Sequence, residues 1–333
     1  MIGDNGADRS IRAAYVFLFW TGRWEWRGIA VISRLLGYEY NNDVAAAYPG
    51  RRAAVFEELR RRLFGIAYRM LGTTADAEDI VQEAYLRWHQ ADTAEIRSAE
   101  AWLVSVVTRL AIDKLRRASV EREKYIGPWL PEPLIASTSP TPEEQLETAS
   151  DLSMAFMLLL ERLTPVERAA FLLHDVFDCA YPLIANILRK SEAACRQVVH
   201  RARERVRSKQ SRFKASDTAR RSLINQFMAA ADAGDDVTLL SLFAKDATLT
   251  SDGGGVVPAA RKVVHGRSRI ARLYLLLAKK LGTRLRKEIA TINGEHGLVM
   301  YLDGVPFATV SFETDDNSIT ALYTVLNPQK LRF

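Results

Sequence analysis

From Arg51 onward apolar and polar positions alternate with the period of a helix. Phe56, Leu59, Leu63, Ile66, Ala67 and Met70 recur at spacings of three and four, and Gly72 stands where a C-terminal cap belongs. The pattern predicts an amphipathic helix ending near Gly72. A second follows, with Thr74 as its cap; Ala77, Ile80, Val81, Ala84 and Trp88 share one face, while Asp76, Asp79, Gln82 and Glu83 occupy the others. A third begins after Ser98, with Leu103, Val106, Val107 and Leu110 inward and Ser105, Thr108, Arg109, Asp113, Arg116 and Arg117 outward. Periodicity alone therefore predicts a three-helix bundle over 51–118, acidic on the outer face of its second helix and polar to basic on that of its third.

Between Ser119 and Ser150, Pro128, Pro131, Pro133, Pro140 and Pro142 interrupt any continuous helix, which predicts an extended linker over 119–150. Its stretch GPWLPEPL carries Trp129, Leu130 and Leu134, more apolar than a spacer requires, so another element is expected to pack on it. Beyond it, Thr164, Pro165 and Glu167 spell a capping box with a first-turn proline, starting a helix that runs to about Phe177. Pro182 opens a short helix to Leu188, Arg189 and Lys190 make a turn, and Ser191 caps a last helix with Val198, Val199, Ala202 and Val206 inward. That is the spacing of a helix-turn-helix, within 151–214. The start of such a second helix meets base edges in the major groove, making Ser191, Glu192, Ala193, Arg196, Gln197 and His200 the candidate readers. Arg189, Lys190, Arg201, Arg203 and Arg205 are candidates for phosphate contacts. A solvated basic helix is the bland alternative.

From 216 to 333 the chain is no longer all helical. A helix over Ser216 to Ala233, Gly234 and a second short helix precede a strand near Ala247 to Ser251 and a helix after Gly266. Strand-like runs follow at 285–291, 298–302, 305–312 and 319–326, with Asp303-Gly304 as a hairpin signal. The fold class is thus multidomain: two all-α domains, a helical bundle and a helix-turn-helix, and a C-terminal α+β domain. A pocket acid or base there would come from Asp252, His265, Tyr301 or Tyr323, but no pair has diagnostic spacing, and Asp252 to Gly255 reads equally as a tight turn.

Length and composition narrow the classes. A chain of 333 residues exceeds one small core, and 48% hydrophobic with 26% charged residues is ordinary globular composition. Two cysteines rule out a disulfide framework and fit a reducing, cytoplasmic setting. Ten Lys/Arg against Glu192 and Glu204 between Arg189 and Lys214 give that stretch +8, so the rest sums to −2 and the basicity reads as one patch. His174, Cys179, Cys195 and His200 have the ligand types for zinc but not the paired spacing, so neither metal nor cofactor is expected. Ala13 to Trp20 is apolar but far short of the roughly 20 residues needed to span a bilayer, and 1–50 reads as a poorly ordered extension without membrane association.

The run YRMLGTTADAEDIVQEAYLRW followed by AWLVSVVTRLAIDKLRR resembles region 2 of extracytoplasmic-function (ECF) RNA polymerase sigma factors. The run from Leu159 to Val206 resembles region 4 of the same family. The resemblance implies that Asp76, Glu78, Asp79, Gln82 and Glu83 face the polymerase clamp, and that Arg109, Asp113, Arg116 and Arg117 meet the −10 element. It also places a base-capturing loop at Asp92 to Ser98, has region 4 read the −35 element next to the polymerase flap, and requires no catalysis. The C-terminal layout resembles the SnoaL-like, NTF2-like fold, which can host a small ligand. Sigma factors with such a fused tail, the SigJ-type subgroup, carry WLPEPL, DGGGK and NPDKL motifs; here WLPEPL is intact, with DGGGV at Asp252 to Val256 and NPQKL at Asn327 to Leu331. The resemblance implies that the tail regulates the sigma modules in cis through Trp129, Leu130, Leu134, Asp252, Gly253, Gly254, Gly255, Asn327, Pro328, Lys330 and Leu331. Val256 replaces a lysine and Gln329 an aspartate, so any ion pair made by those two groups is absent. A SnoaL-type small-molecule enzyme with a DNA-binding leader and a plain helix-turn-helix regulator remain the alternatives.

Overall fold

The structure is a computed structural model that describes residues 49–92, 96–122, 124–135, 152–207, 216–315 and 317–333. The expected extension over 1–50, apart from Pro49 and Gly50, lies outside the described residues, as do the middle of the base-capturing loop, 136–151 of the linker and the junction at 208–215.

Three helices open the fold: α1 (Pro49–Leu71), α2 (Thr74–Gln90) and α3 (Ala99–Arg122). Leu63, Ile66, Met70, Ala77, Val81, Ala84, Trp88, Leu103 and Val107 turn inward as expected and are buried, whereas on α3 Thr108, expected outward, is fully buried and Val106 and Leu110, expected inward, are half-buried. Two further details differ from the sequence pattern. Helix α3 continues to Arg122, into the stretch expected to be linker, because the first proline arrives only at Pro128. Thr74 does not cap α2; Thr73 holds the N-cap position without a side-chain cap bond, and the role falls to a residue of the linker.

The second group comprises α4 (Met154–Leu160), α5 (Pro165–Phe171) with a π-helical turn over Leu172–Val176, α6 (Tyr181–Leu188) and α7 (Glu192–Arg207). The capping box at Thr164 and Glu167 forms in both directions, and Ser191 Oγ accepts from the Ala194 amide at 3.2 Å. Arg189 adopts a left-handed φ of 53°, closing α6 and making the sharp turn into α7. Both helical groups contribute to one continuous hydrophobic core running from Phe56 to Val206.

The C-terminal domain begins with α8 (Asp217–Ala233), capped by Ser216, and α9 (Asp236–Ser241). Strands β1 (Phe243–Asp252), β2 (Val264–His265), β3 (Leu285–Ile292), β4 (Glu295–Leu302), β5 (Val305–Thr314) and β6 (Ile319–Val325) form one sheet in the order β2-β1-β6-β5-β4-β3. Only β1 and β6 pair in parallel. Helix α10 (Arg267–Leu281) crosses the sheet, and Phe227, Phe243, Tyr274 and Phe312 fill the space beneath it with edge-on aromatic contacts. Asp252, read from sequence as a possible turn residue, ends β1. Among the described residues no helix is long and apolar enough to cross a membrane.

Candidate functional site

The described part of the proline-rich segment, residues 124–135, is not a free tether. It lies between the first helical group and the C-terminal sheet, and its side chains and backbone bond to both. Glu132 reaches back to α2, where its carboxylate accepts the Thr74 amide at 2.8 Å and the Thr74 hydroxyl. A negative charge at a helix N-terminus satisfies an orphan amide and complements the helix dipole. The Glu132 amide in turn donates to the Gly72 carbonyl at 2.8 Å. Gly72 has a φ of 76°, and a Cβ built there would lie 2.6 Å from the indole of Trp129, so glycine serves both the helix end and the indole's approach. Arg122, at the end of α3, stacks its guanidinium 3.6 Å from the Trp129 ring centroid and donates to the Leu71 carbonyl and to Glu161, the C-cap of α4.

On the other side the linker joins the sheet. Tyr68 donates to the Glu132 carbonyl at 2.7 Å and accepts from Asn293 Nδ2 at 2.7 Å; Asn293 Oδ1 accepts from the Leu134 amide, and its amide donates to the Leu134 carbonyl. Burial and the carboxylate of Glu132 push the Tyr68 phenol well above its usual range, so it remains a donor. Asn293 turns the β3–β4 hairpin with a left-handed φ of 52°, ahead of Gly294.

At the centre of the junction sits Asp252, fully buried at 0% exposure. Its carboxylate accepts from Tyr125 Oη (2.6 Å), the Leu130 amide (2.9 Å), the Gly254 amide (3.0 Å) and Lys330 Nζ (2.7 Å). Lys330 also donates to the Leu130 carbonyl at 2.5 Å and lies 4.3 Å from the Trp129 ring centroid. Burial pulls the Lys330 pKa down, opposed by the Asp252 charge. Asn327 donates to Tyr125 Oη at 3.0 Å, and its position depends on Gly254, where a Cβ would lie 2.4 Å from Asn327 Nδ2. Leu130, Met154, Val325 and Leu331 form a small apolar cluster with Leu158, so the tail also touches the first helix of the second group. The structure thus brings together Trp129, Leu130, Asp252, Gly254, Asn327, Lys330 and Leu331, with Leu134 paired to Asn293 nearby. Gly253 lies flat under Val257, Gly255 faces Ile126, and Pro328 is exposed beside Asn327. Val256 is 62% exposed and Gln329 is exposed, so the two departures from the subgroup motifs stand outside the buried pair, which uses the retained Asp252 and Lys330.

The helix-turn-helix is formed by α6 and α7. Ala193, Arg196, Gln197, His200 and Arg201 are exposed along α7, and Arg189, Lys190 and Ser191 are exposed at the turn. Glu192 pairs with Arg196 at 3.0 Å, whose guanidinium also stands 4.8 Å from the Tyr181 ring centroid. Arg203 is held differently, by a two-pronged bond to Asp175. On α3, Arg109 does not face open solvent alone. It donates to the Ile187 and Asn186 carbonyls at 3.2 and 2.9 Å, at the end of α6. Asp113 and Arg116 pair with each other at 3.1 Å, and Arg117 is exposed. On α2, Glu78, Asp79 and Gln82 are exposed while Asp76 and Glu83 are half-buried. Burial works to raise the Asp76 pKa, but hydrogen bonds from Lys114 and Thr73 outweigh it and leave the carboxyl below its usual range. Lys114 bridges Asp76 and Asp79 at 2.6 and 3.1 Å, fixing the acidic face on α3.

Sequence reasoning missed Tyr68, Arg122, Tyr125, Glu132 and Asn293. Asn293-Gly294 carries a hairpin signal that locates the turn, and Glu132 lies inside WLPEPL; the other three are interchangeable by pattern with ordinary core or surface residues. Among the described residues no group of three or more His, Cys, Asp or Glu side chains gathers as a metal site. Both cysteines are buried and unbridged.

Two helical modules, one with a helix-turn-helix and one with an acidic and a basic helix, joined through a linker to an α+β tail, define a multidomain initiation factor of the sigma type. Residues 55–120 match Sigma-70 region 2 and residues 153–206 match Sigma-70, region 4. The chain is 40% identical over 288 residues to the ECF RNA polymerase sigma factor SigJ of Mycobacterium tuberculosis (strain ATCC 25618 / H37Rv), covering 83% of this chain and 91% of that protein. It is 27% identical over 282 residues to the probable ECF RNA polymerase sigma factor SigI of the same strain, covering 84% and 94%. The crystal structure of the Mycobacterium tuberculosis extracytoplasmic function sigma factor SigJ superposes with a TM-score of 0.68 at 38% identity, over 84% of this chain and 97% of that one. The chain belongs to the ECF family of RNA polymerase sigma factors. It is a promoter-specific transcription initiation factor, not an enzyme, and its partners are core RNA polymerase and promoter DNA.

Proposed function

We propose that the structure is the closed, resting form of this sigma factor, in which the tail and linker hold region 2 against region 4 until core polymerase separates them. The observation that carries this reading is Arg109, a candidate −10 contact, bonded to the end of the first helix of the helix-turn-helix. Elements centred about 25 base pairs apart lie roughly 85 Å from one another at 3.4 Å per base pair. Modules that share one core cannot reach both. In the open form Asp76, Glu78, Asp79, Gln82 and Glu83 dock on the polymerase clamp, and Arg109, Asp113, Arg116 and Arg117 meet the −10 element. Region 4 sits by the flap and reads the −35 element through α7, with Arg203 keeping to Asp175 as a brace. The working units are 51–118, 119–150, 151–214 and 216–333, with 1–50 preceding them, and the setting is the cytoplasm where polymerase works.

Dyes on Leu86→Cys and Glu204→Cys test this, since both positions are exposed while Cys179 and Cys195 are buried. Energy transfer is expected to be high in the free chain and to fall when core polymerase is added. Transfer that stays unchanged in a holoenzyme active on promoter DNA contradicts a closed resting form.

A further inference from the structure

We propose that the tail carries its own DNA-phosphate surface, on the outer face of α10 and the loop before it, which grips the duplex beside the −10 element. The segment from Gly253 to Lys287 holds ten Lys/Arg and no Asp or Glu. The charge count that assigned all the basicity to the helix-turn-helix missed it, because acids elsewhere cancel it in the sum. Three of the ten have partners: Arg284 with Asp303, Arg286 with Glu288 and Lys287 with Asp232. Arg261, Lys262, Arg267, Arg269, Arg272, Lys279 and Lys280 are all exposed, and none pairs with a carboxylate among the described residues.

Helix α10 sorts these charges by geometry. Ile270, Ala271 and Tyr274 are buried against the domain core, which at 100° per residue leaves Arg269, Arg272, Lys279 and Lys280 on the opposite face around exposed Leu276. Like charges one turn apart repel, so a row of four without acids is a cost in the free protein that an external polyanion would relieve.

Position names the polyanion. A cavity of about 450 Å³ separates Ile126 and Gly127 from the 253–261 loop, and a Cβ built at Gly127 would lie 3.7 Å from the Arg261 Cα. Gly127 follows closely on the end of α3, whose Arg116 and Arg117 are the candidate −10 contacts. Ten residues of chain lead from Arg117 to Gly127, the first five in α3, so the two lie at most about 25 Å apart even at full extension of the other five. That distance corresponds to roughly seven base pairs of the same duplex. The buried contacts of Asp252, Asn293 and Glu132 tie the tail to region 2, so this alignment survives the departure of region 4. An anionic membrane is the poorer fit, because the apolar side of α10 is already used by the sheet and a surface-lying helix needs it for insertion. The contacts are guanidinium or ammonium to phosphate, which add affinity and salt dependence but read no sequence. This inference rests on the assignment of α3 to the −10 element.

The test uses holoenzyme made from core polymerase and the full chain, with a promoter duplex, comparing wild type with Arg269→Gln/Arg272→Gln/Lys279→Gln. The slope of log affinity against log salt is expected to fall by about 2 to 3, with at least tenfold weaker binding and the same start sites. Arg269→Lys/Arg272→Lys, which keeps the charge, is expected to keep the slope. Unchanged slope and affinity in a triple variant whose wild type initiates normally overturns the tail surface alone, whereas a wild type that fails to initiate overturns the −10 assignment with it. Triple-variant holoenzyme with wild-type DNA binding, but lost sedimentation with phosphatidylserine vesicles, assigns the face to membranes and also overturns the proposal.

Discussion

Asp252→Ala is expected to lower the stability of the chain by about 3–5 kcal/mol, the cost of leaving one member of a buried ion pair alone. Lys330 is only 7% exposed and, among the described residues, forms an ion pair with no other carboxylate; without Asp252 its ammonium keeps the Leu130 carbonyl and the rings of Trp129 and Tyr125. Tyr125 Oη and the Leu130 and Gly254 amides lose their acceptor at the same time. Lys330→Met alone costs less, because three hydrogen-bond donors still stabilise the carboxylate. Adding Asp252→Asn to it removes the remaining charge of this buried pair. Urea unfolding of the three variants reads the ordering directly. A cost below about 1 kcal/mol for Asp252→Ala would place the carboxylate in water rather than at the centre of the junction.

Arg168→Met is expected to be comparably damaging, again by about 3–5 kcal/mol. Arg168 is 1% exposed, pairs with Glu161 at 2.7 Å and donates to the Leu160 and Met70 carbonyls at 2.8 and 2.7 Å. Burial pulls its pKa down and Glu161 opposes that, but a guanidinium remains charged at any pH the protein meets. The Met70 carbonyl belongs to α1, so this one side chain ties region 4 to the end of a region 2 helix, where Arg122 shares Glu161. Methionine fills the volume but takes the guanidinium from Glu161 and from the Met70 carbonyl, while the Leu160 carbonyl keeps the Leu163 amide at 3.1 Å. A melting temperature lowered by several degrees, together with increased separation between dyes on α2 and α7, is the expected result. A lower melting temperature with unchanged dye separation would make Arg168 a brace within region 4 only.

The two positions explain why the modules were legible in the sequence and their arrangement was not. Ala77, Ile80, Val81, Ala84 and Trp88 announce a helix face because burial repeats at its period, and Thr164 with Glu167 announces a helix start because the cap is local chemistry. Nothing local marks Arg109 as docked on α6 or Arg168 as reaching α1, since the first meets Asn186 across 77 residues and the second meets Met70 across 98. The motif residues lie between these extremes. WLPEPL, Asp252 to Gly255 and Asn327 to Leu331 were visible as motifs, yet the buried pair of Asp252 with Lys330, and Glu132 capping α2, required the fold. The basic face of α10 was hidden for a different reason, because summing charge over a whole chain averages away a segment that topology sets on one surface.

The most direct measurement of the whole account is run-off transcription from a genomic promoter library with core polymerase, comparing the full chain with Trp129→Ala/Leu130→Ala. Both substitutions loosen the linker, one under Arg122 and the other in the apolar cluster with Met154 and Leu331. The account expects transcripts that depend on the chain and start at the same promoters for both proteins, at a higher level from the loosened variant. Transcripts of equal level from both would contradict control through the linker, and an absence of chain-dependent transcripts would contradict the account as a whole.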